Sequence, residues 1–199
     1  MSVLPIWADD PSSLFITEES YDRLPDELRK ALEVIDGHAM LCRSGSNEHS
    51  IVGRRLANCL ESARPKEPCT RVVTDVEMHY RQRRSNRQAF SFRRPDVALY
   101  RCYDEDRNLT TTDVLLAIEV VSPSSEYVDT VDKVAEYAHE GIPVYLVVHL
   151  DAERRVKFIQ EHRLDWASNT YRMIATHQET LFLSDPFKVV IPFTDLDAT

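Results

Sequence analysis

Glu119 is the residue whose surroundings most nearly demand chemistry. It stands inside Val114 to Val121 (Val-Leu-Leu-Ala-Ile-Glu-Val-Val), a short continuous apolar run of the kind that forms a central strand covered on both faces. A charged carboxylate there needs a partner, a metal ion or a raised pKa, because burying it unpaired is costly. The competing reading puts Glu119 at a frayed strand end, facing solvent or a structural arginine. Asp96 follows Pro95 and opens the strand-like run Val97 to Tyr100. It reads either as an Asx turn or, with Glu119 on an adjacent strand, as half of a carboxylate pair for a hard cation such as Mg²⁺ or Mn²⁺. Lys133 lies four residues after Asp129 on a predicted helix. Its ammonium could orient a water or stabilise charge on a phosphate, or simply form a surface pair worth about 0.3–0.5 kcal/mol. His49, near a helix start, could orient a water or touch a phosphate, or be a partly buried polar residue.

The elements that must position these groups can be read from periodicity. Thr17 to Leu32 is a polar helical stretch with Thr17 as N-cap, broken at Pro25. Leu32 to Cys42 is a hairpin turning at Asp36-Gly37. Asn47 to Ala63 is a helix starting at Ser46 or Asn47, and Thr70 to Tyr80 a strand. The apolar run ending at Val121 leads through Ser122-Pro123 to a helix over Ser125 to His139, capped by Ser124 or Ser125 and closed by Gly141. On its wheel Tyr127, Val128, Val131, Val134, Ala135 and Ala138 form an apolar arc predicted to face the core, with Lys133 well off the centre. Ile142 to Leu150 is a second buried strand, and Arg155 to Gln160, Thr170 to Ala175 and Phe187 to Ile191 are shorter strand-like runs. The sum is an α/β (mixed α+β) domain spanning residues 1–199, with a right-handed crossover if the two buried strands are parallel.

Net charge is -9, but it is unevenly spread. Residues 81–101 hold seven arginines against one acid, Asp96, so that window is +6. A protein that coats nucleic acid with its whole surface is excluded; a local basic site is not. Arg83, Arg84 and Arg87 could contact DNA phosphates from a hairpin tip, with Phe90 and Phe92 beside them, or form a solvated loop balancing the acids. Cys42, Cys59, Cys69 and Cys102 show no C-x-x-C spacing and are read as free thiols in a reducing compartment. No basic, apolar leader and no long apolar stretch occurs, so the expectation is a cytoplasmic chain without membrane contact. The fingerprints of dinucleotide-binding folds, P-loops, zinc proteases and nucleophile-elbow hydrolases are all missing.

The ordered set resembles a known family. Pro95-Asp96-Val-Ala-Leu, Ile118-Glu119-Val-Val-Ser-Pro-Ser124, Asp129, Lys133, Tyr137 and Gly141-Ile-Pro-Val-Tyr-Leu-Val resemble the Uma-two family of the PD-(D/E)xK nuclease superfamily. Leu32-Glu-Val-Ile-Asp-Gly and Glu48-His49 are similar to its N-terminal hairpin and following helix, and the likeness covers about residues 15–195. It implies a restriction-endonuclease-like core, Asp96 and Glu119 as ligands of Mg²⁺ or Mn²⁺, and hydrolysis of DNA phosphodiesters. The superfamily lysine would stand two residues after Glu119, where this chain has Val121; Lys133 is the matching position on the next helix. The main-chain carbonyl of Val120, close to Glu119 by construction, could be a further ligand, and Glu33 and His49 are peripheral candidates. By analogy two copies could pair to cut both strands. The alternative is a non-catalytic nucleic-acid or protein interaction module on the same fold.

Overall fold

Capping and turn residues set the first elements. The structure is a computed structural model and describes residues 15–41, 46–81, 90–103, 106–121 and 126–197. The Thr17 hydroxyl accepts the Ser20 N–H at the start of α1 (Glu18–Asp22), and Pro25 separates it from α2 (Asp26–Lys30). β1 (Leu32–Ile35) and β2 (His38–Leu41) are joined by Asp36 and Gly37, whose φ angles of 50° and 80° are the left-handed pair that a two-residue hairpin needs. Gly37 is also held by space, since a Cβ there would lie 2.4 Å from the Phe15 ring. Ser46 caps α3 (Asn47–Ala63) by accepting the His49 N–H. The helix-capping serines expected at 124 and 125, like Cys42, lie outside the described residues.

The strand expected over Thr70 to Tyr80 is instead two. β3 (Thr70–Val73) and β4 (Met78–His79) belong to different sheets, because Asp75 turns the chain with a φ of 53°. β5 (Phe92–Arg93) completes a four-stranded antiparallel sheet of order β2-β1-β5-β4. β6 (Val97–Arg101) returns the chain to the main sheet beside β7 (Val114–Val120), every residue of which is buried. A π-type turn (Val128–Asp132) runs into α4 (Lys133–Glu140), and Gly141 closes that helix at a φ of 85°. β8 (Val144–Leu150), β9 (Val156–Asp165) and β10 (Thr170–His177) follow. A last hairpin, β11 (Thr180–Leu183) and β12 (Val189–Pro192), includes a strand, β11, that the periodicity did not reveal.

The main sheet has the order β10-β9-β8-β7-β6-β3. All its pairs are antiparallel except β7 with β8, which are parallel and linked through α4. α3 lays Val52, Leu56 and Leu60 on the face carrying Leu116, Ile118 and Val120. The opposite face, with Ala117, Tyr145 and Val147, packs against Tyr137 of α4. Alternation along β7 therefore sends Glu119 toward α4.

The free-thiol expectation fails for two cysteines. Cys69 and Cys102 are joined in a disulfide with Cα atoms 5.5 Å apart, while Cys59 is free. The cause is register: Thr70 pairs with Arg101, which leaves the flanking cysteines opposite one another, a relation no sequence spacing displays. Among the described residues no helix is long and apolar enough to cross a membrane.

Candidate active site

β6 and β7 run antiparallel, and their last paired residues are Val97 and Ile118. One step beyond, Asp96 and Glu119 fall side by side at adjoining strand ends. Asp96 is fixed from two directions. Its Oδ2 accepts the main-chain N–H of Val120 at 2.6 Å, and its Oδ1 lies 2.9 Å from His49 Nε2 on the first turn of α3. His49, named from sequence as peripheral, thus sits directly on the aspartate. Burial works against the charged imidazole, but the Asp96 hydrogen bond and charge prevail and raise its pKa.

Glu119 is only 3% exposed, and its Oε1 takes two donors from α4: Lys133 Nζ at 2.8 Å and the Tyr137 hydroxyl at 2.9 Å. Lys133 Nζ is also 3.0 Å from Asp129 Oδ1. The Asp129–Lys133 pair forms, but buried rather than on the surface, and the apolar arc expected of this helix turns inward only in part, through Ala138 and Val134. Lys133 is 6% exposed and Asp129 is buried, while Tyr127 and Val131 of the apolar arc are 67% and 46% exposed. The inward face reads Asp129, Lys133, Tyr137 and Glu140, a polar stripe at helical spacing. A wheel that assumes apolar residues point inward picks the wrong face when the buried face carries a charge network.

That network extends to the small sheet. Arg93 is 2% exposed and forks onto Glu136 through Nε and Nη2, both at 2.9 Å, while its Nη1 reaches Glu33 Oε2 at 2.8 Å. Glu33 Oε1 accepts the Arg94 N–H at 2.8 Å. Despite its burial, Glu33 is held below the usual carboxylate range by the charges of Lys133 and Arg93. Glu33 is therefore buried in the ion-pair network and close enough to feel Lys133. Arg94 pairs with Glu77 and hydrogen-bonds Tyr21 at 3.0 Å. Two of the arginines in the basic window are thus consumed inside the protein, and Phe90 and Phe92 are core residues around Tyr21. Arg83, Arg84 and Arg87 lie outside the described residues.

The electrostatics are those of too many carboxylates around one lysine. Burial, with Asp96 and Asp129 nearby, pushes the Glu119 carboxyl well above its ordinary value against the pull of Lys133. Lys133 itself is raised despite burial, because Glu119, Glu33, Asp129 and Asp96 all favour its charge. Among the described residues no three His, Cys, Asp or Glu side chains are grouped to hold a metal ion by themselves. Asp96 and Glu119 carry oxygen donors of the kind that a hard divalent cation takes, and such a charge would relieve this crowding. Asp129 and Tyr137 entered from sequence as part of the family pattern and without a catalytic role, Glu136 only through its helical spacing from them, and nothing in the sequence signalled Arg93 as a member of this network.

A mixed sheet with a carboxylate pair at its strand ends and a lysine on the crossover helix is the arrangement on which the comparisons bear. Residues 18–192 match the Uma2 family, described as "Putative restriction endonuclease", and the chain belongs to that family. It is 30% identical over 146 residues to Uncharacterized protein slr1290 of Synechocystis sp., covering 71% of this chain and 73% of that protein. A crystal structure of "a putative nuclease belonging to DUF820" from Anabaena variabilis is similar with a TM-score of 0.64. The match covers 91% of this chain and 97% of that one at 13% identity, and the shared fold is the restriction-endonuclease-like core expected from sequence.

Proposed function

We propose that the chain is a metal-dependent DNA endonuclease whose centre is Asp96, Glu119 and Lys133. The observation that carries this reading is the 2.8 Å approach of Lys133 Nζ to Glu119, which delivers from a helix the lysine missing at Val121. Asp96, Glu119 and the Val120 carbonyl would hold Mg²⁺ or Mn²⁺. When bound, such an ion makes water more acidic and neutralises charge building on a phosphate. The protein's own groups do the rest. Lys133, kept protonated by its carboxylates, sets a fixed positive charge beside the reacting phosphate. Tyr137 orients Glu119, and His49 and the Val120 N–H hold Asp96 in one rotamer. Arg83, Arg84 and Arg87 contact phosphates, and two copies of the chain together cut a duplex.

Purified protein incubated with supercoiled and single-stranded DNA in Mg²⁺ or Mn²⁺ should cut at least one of them. Asp96→Ala and Glu119→Ala should each abolish cleavage. Cleavage that survives both substitutions would contradict the assigned centre, and no cleavage of any substrate would favour a non-catalytic interaction module.

A further inference from the structure

The Glu119 face of the main sheet continues past the end of β7, and the register defines what stands there. Glu119 pairs with Val147 of β8, so His149, two residues further on, projects from the same face. Two residues along and one strand across place it roughly 8 Å from Glu119, measured along the sheet. Opposite His149 on β9 is Phe158, and the two rings stack with centroids 4.3 Å apart and planes 23° apart. His149 Nε2 also lies 3.2 Å from Gln160 Oε1. Burial holds this imidazole below its usual pKa, against the pull of Gln160, Glu126 and Asp129, and so favours its uncharged form. Both rings are half-buried, each keeping part of its surface open to solvent.

One cation stands at this corner and two more lie on the adjoining turn. His149 opposes Phe158 but Leu150 opposes Val156, which leaves Lys157 unpaired in a β-bulge. Its ammonium stands over the Phe158 ring, 5.9 Å from the centroid. The turn between β8 and β9 adds Arg154 and Arg155, whose side chains are 58% and 56% exposed. Arg154 reaches Glu48, the neighbour of His49, at 2.7 Å, and Arg155 lies 3.4 Å from Asp151 and 3.7 Å from Glu153. Glu48 thus ties Arg154 to the helix turn that carries His49, the partner of Asp96, while Asp151 and Glu153 hold Arg155 on its own turn.

We propose that this corner, His149 and Phe158 with Lys157, Arg154 and Arg155, is a subsite for an unpaired DNA strand leaving the cleavage centre. Bases stack on the ring pair and the cations take the phosphates, the combination by which proteins hold single strands without reading their sequence. The proposal rests on the nuclease reading of Asp96 and Glu119.

The test is the binding of a fluorescein-labelled oligothymidylate to the full chain in EDTA, followed by anisotropy across a salt series. Phe158→Ala should weaken binding about tenfold or more, and Phe158→Trp should restore it. Replacing Arg154 and Lys157 together with Ala should flatten the salt dependence by about 0.7 in log–log slope for each phosphate no longer neutralised. Unchanged affinity in Phe158→Ala, or an unchanged slope in the exposed-cation variant, would overturn the subsite. Cleavage assays on the same proteins separate the two readings. Should the wild type cut DNA while Phe158→Ala still binds the strand as tightly, the subsite is wrong and the nuclease reading stands. Should no substrate be cut while Phe158 still governs strand binding, the nuclease reading is wrong and the strand-binding corner stands.

Discussion

Glu119 shares one of its oxygens between an ammonium and a phenol, and the phenol is the member that can be removed most cleanly. Tyr137 is fully buried and packs edge-on against Tyr145, so Tyr137→Phe keeps the ring and deletes only the hydrogen bond to Glu119. A hydrogen bond to a charged group is worth about 1.5–3 kcal/mol. The expected result is a kcat about tenfold lower with KM little changed and the melting temperature modestly reduced; an unchanged kcat would show that Tyr137 does not hold the carboxylate for catalysis. Glu119 stood out in sequence because a carboxylate in an apolar run conflicts with its surroundings, and Asp96 because it opens the next strand-like run after Pro95. Tyr137 and Asp129 belonged to the family pattern, but their contacts were not readable, since a tyrosine or an aspartate in an amphipathic helix conflicts with nothing until the helix is known to turn its polar stripe inward.

At the scale of elements, the N-terminal helices and the small sheet are tied together by charge. Glu77, between β3 and β4, lies 2.6 Å from the Tyr21 hydroxyl and 3.3 Å from His79 Nε2, and pairs with Arg94. Burial would raise its pKa, but the hydrogen bonds from His79 and Tyr21 and the charge of Arg94 prevail and hold it at about 2. The folded value lies below the unfolded one of about 4.3. The stabilisation is therefore complete above about pH 4.3 and is lost as pH falls toward 2. Circular-dichroism melts between those values should show the wild type losing stability with acid and Glu77→Gln losing less; parallel acid limbs would contradict this role. The hairpin at Asp36-Gly37, the Ser46-capped helix and the Gly141 stop were all readable from local chemistry. The split of Thr70 to Tyr80 was not, because alternation of apolar residues continues across Asp75 although the chain changes sheets there.

Across the whole molecule, the chain leaves the main sheet at β3, visits the small sheet through β4 and β5, and returns at β6 with Asp96 at its start. The Cys69–Cys102 disulfide closes this excursion, with a sequence separation of 33. A loop of that length constrains the unfolded chain by about 3–4 kcal/mol. Dithiothreitol should lower the urea midpoint accordingly, as should the paired Cys69→Ala and Cys102→Ala substitutions without it; equal midpoints would show that the bond adds nothing. The pairing was invisible in sequence because it depends on the β3–β6 register. The parallel β7–β8 pair has the opposite character, since two apolar runs around one helix announce a crossover, and that crossover brings Lys133 to Glu119. Single-turnover cleavage of DNA in Mg²⁺ or Mn²⁺ is the sharpest check on a lysine supplied from the helix. Lys133→Met should cut about 10²–10³-fold more slowly than the wild type. Adding Val121→Lys, which moves the ammonium to the position two residues after Glu119, should recover part of the deficit. A folded Lys133→Met protein that cuts at the wild-type rate would contradict the place of Lys133 in the centre.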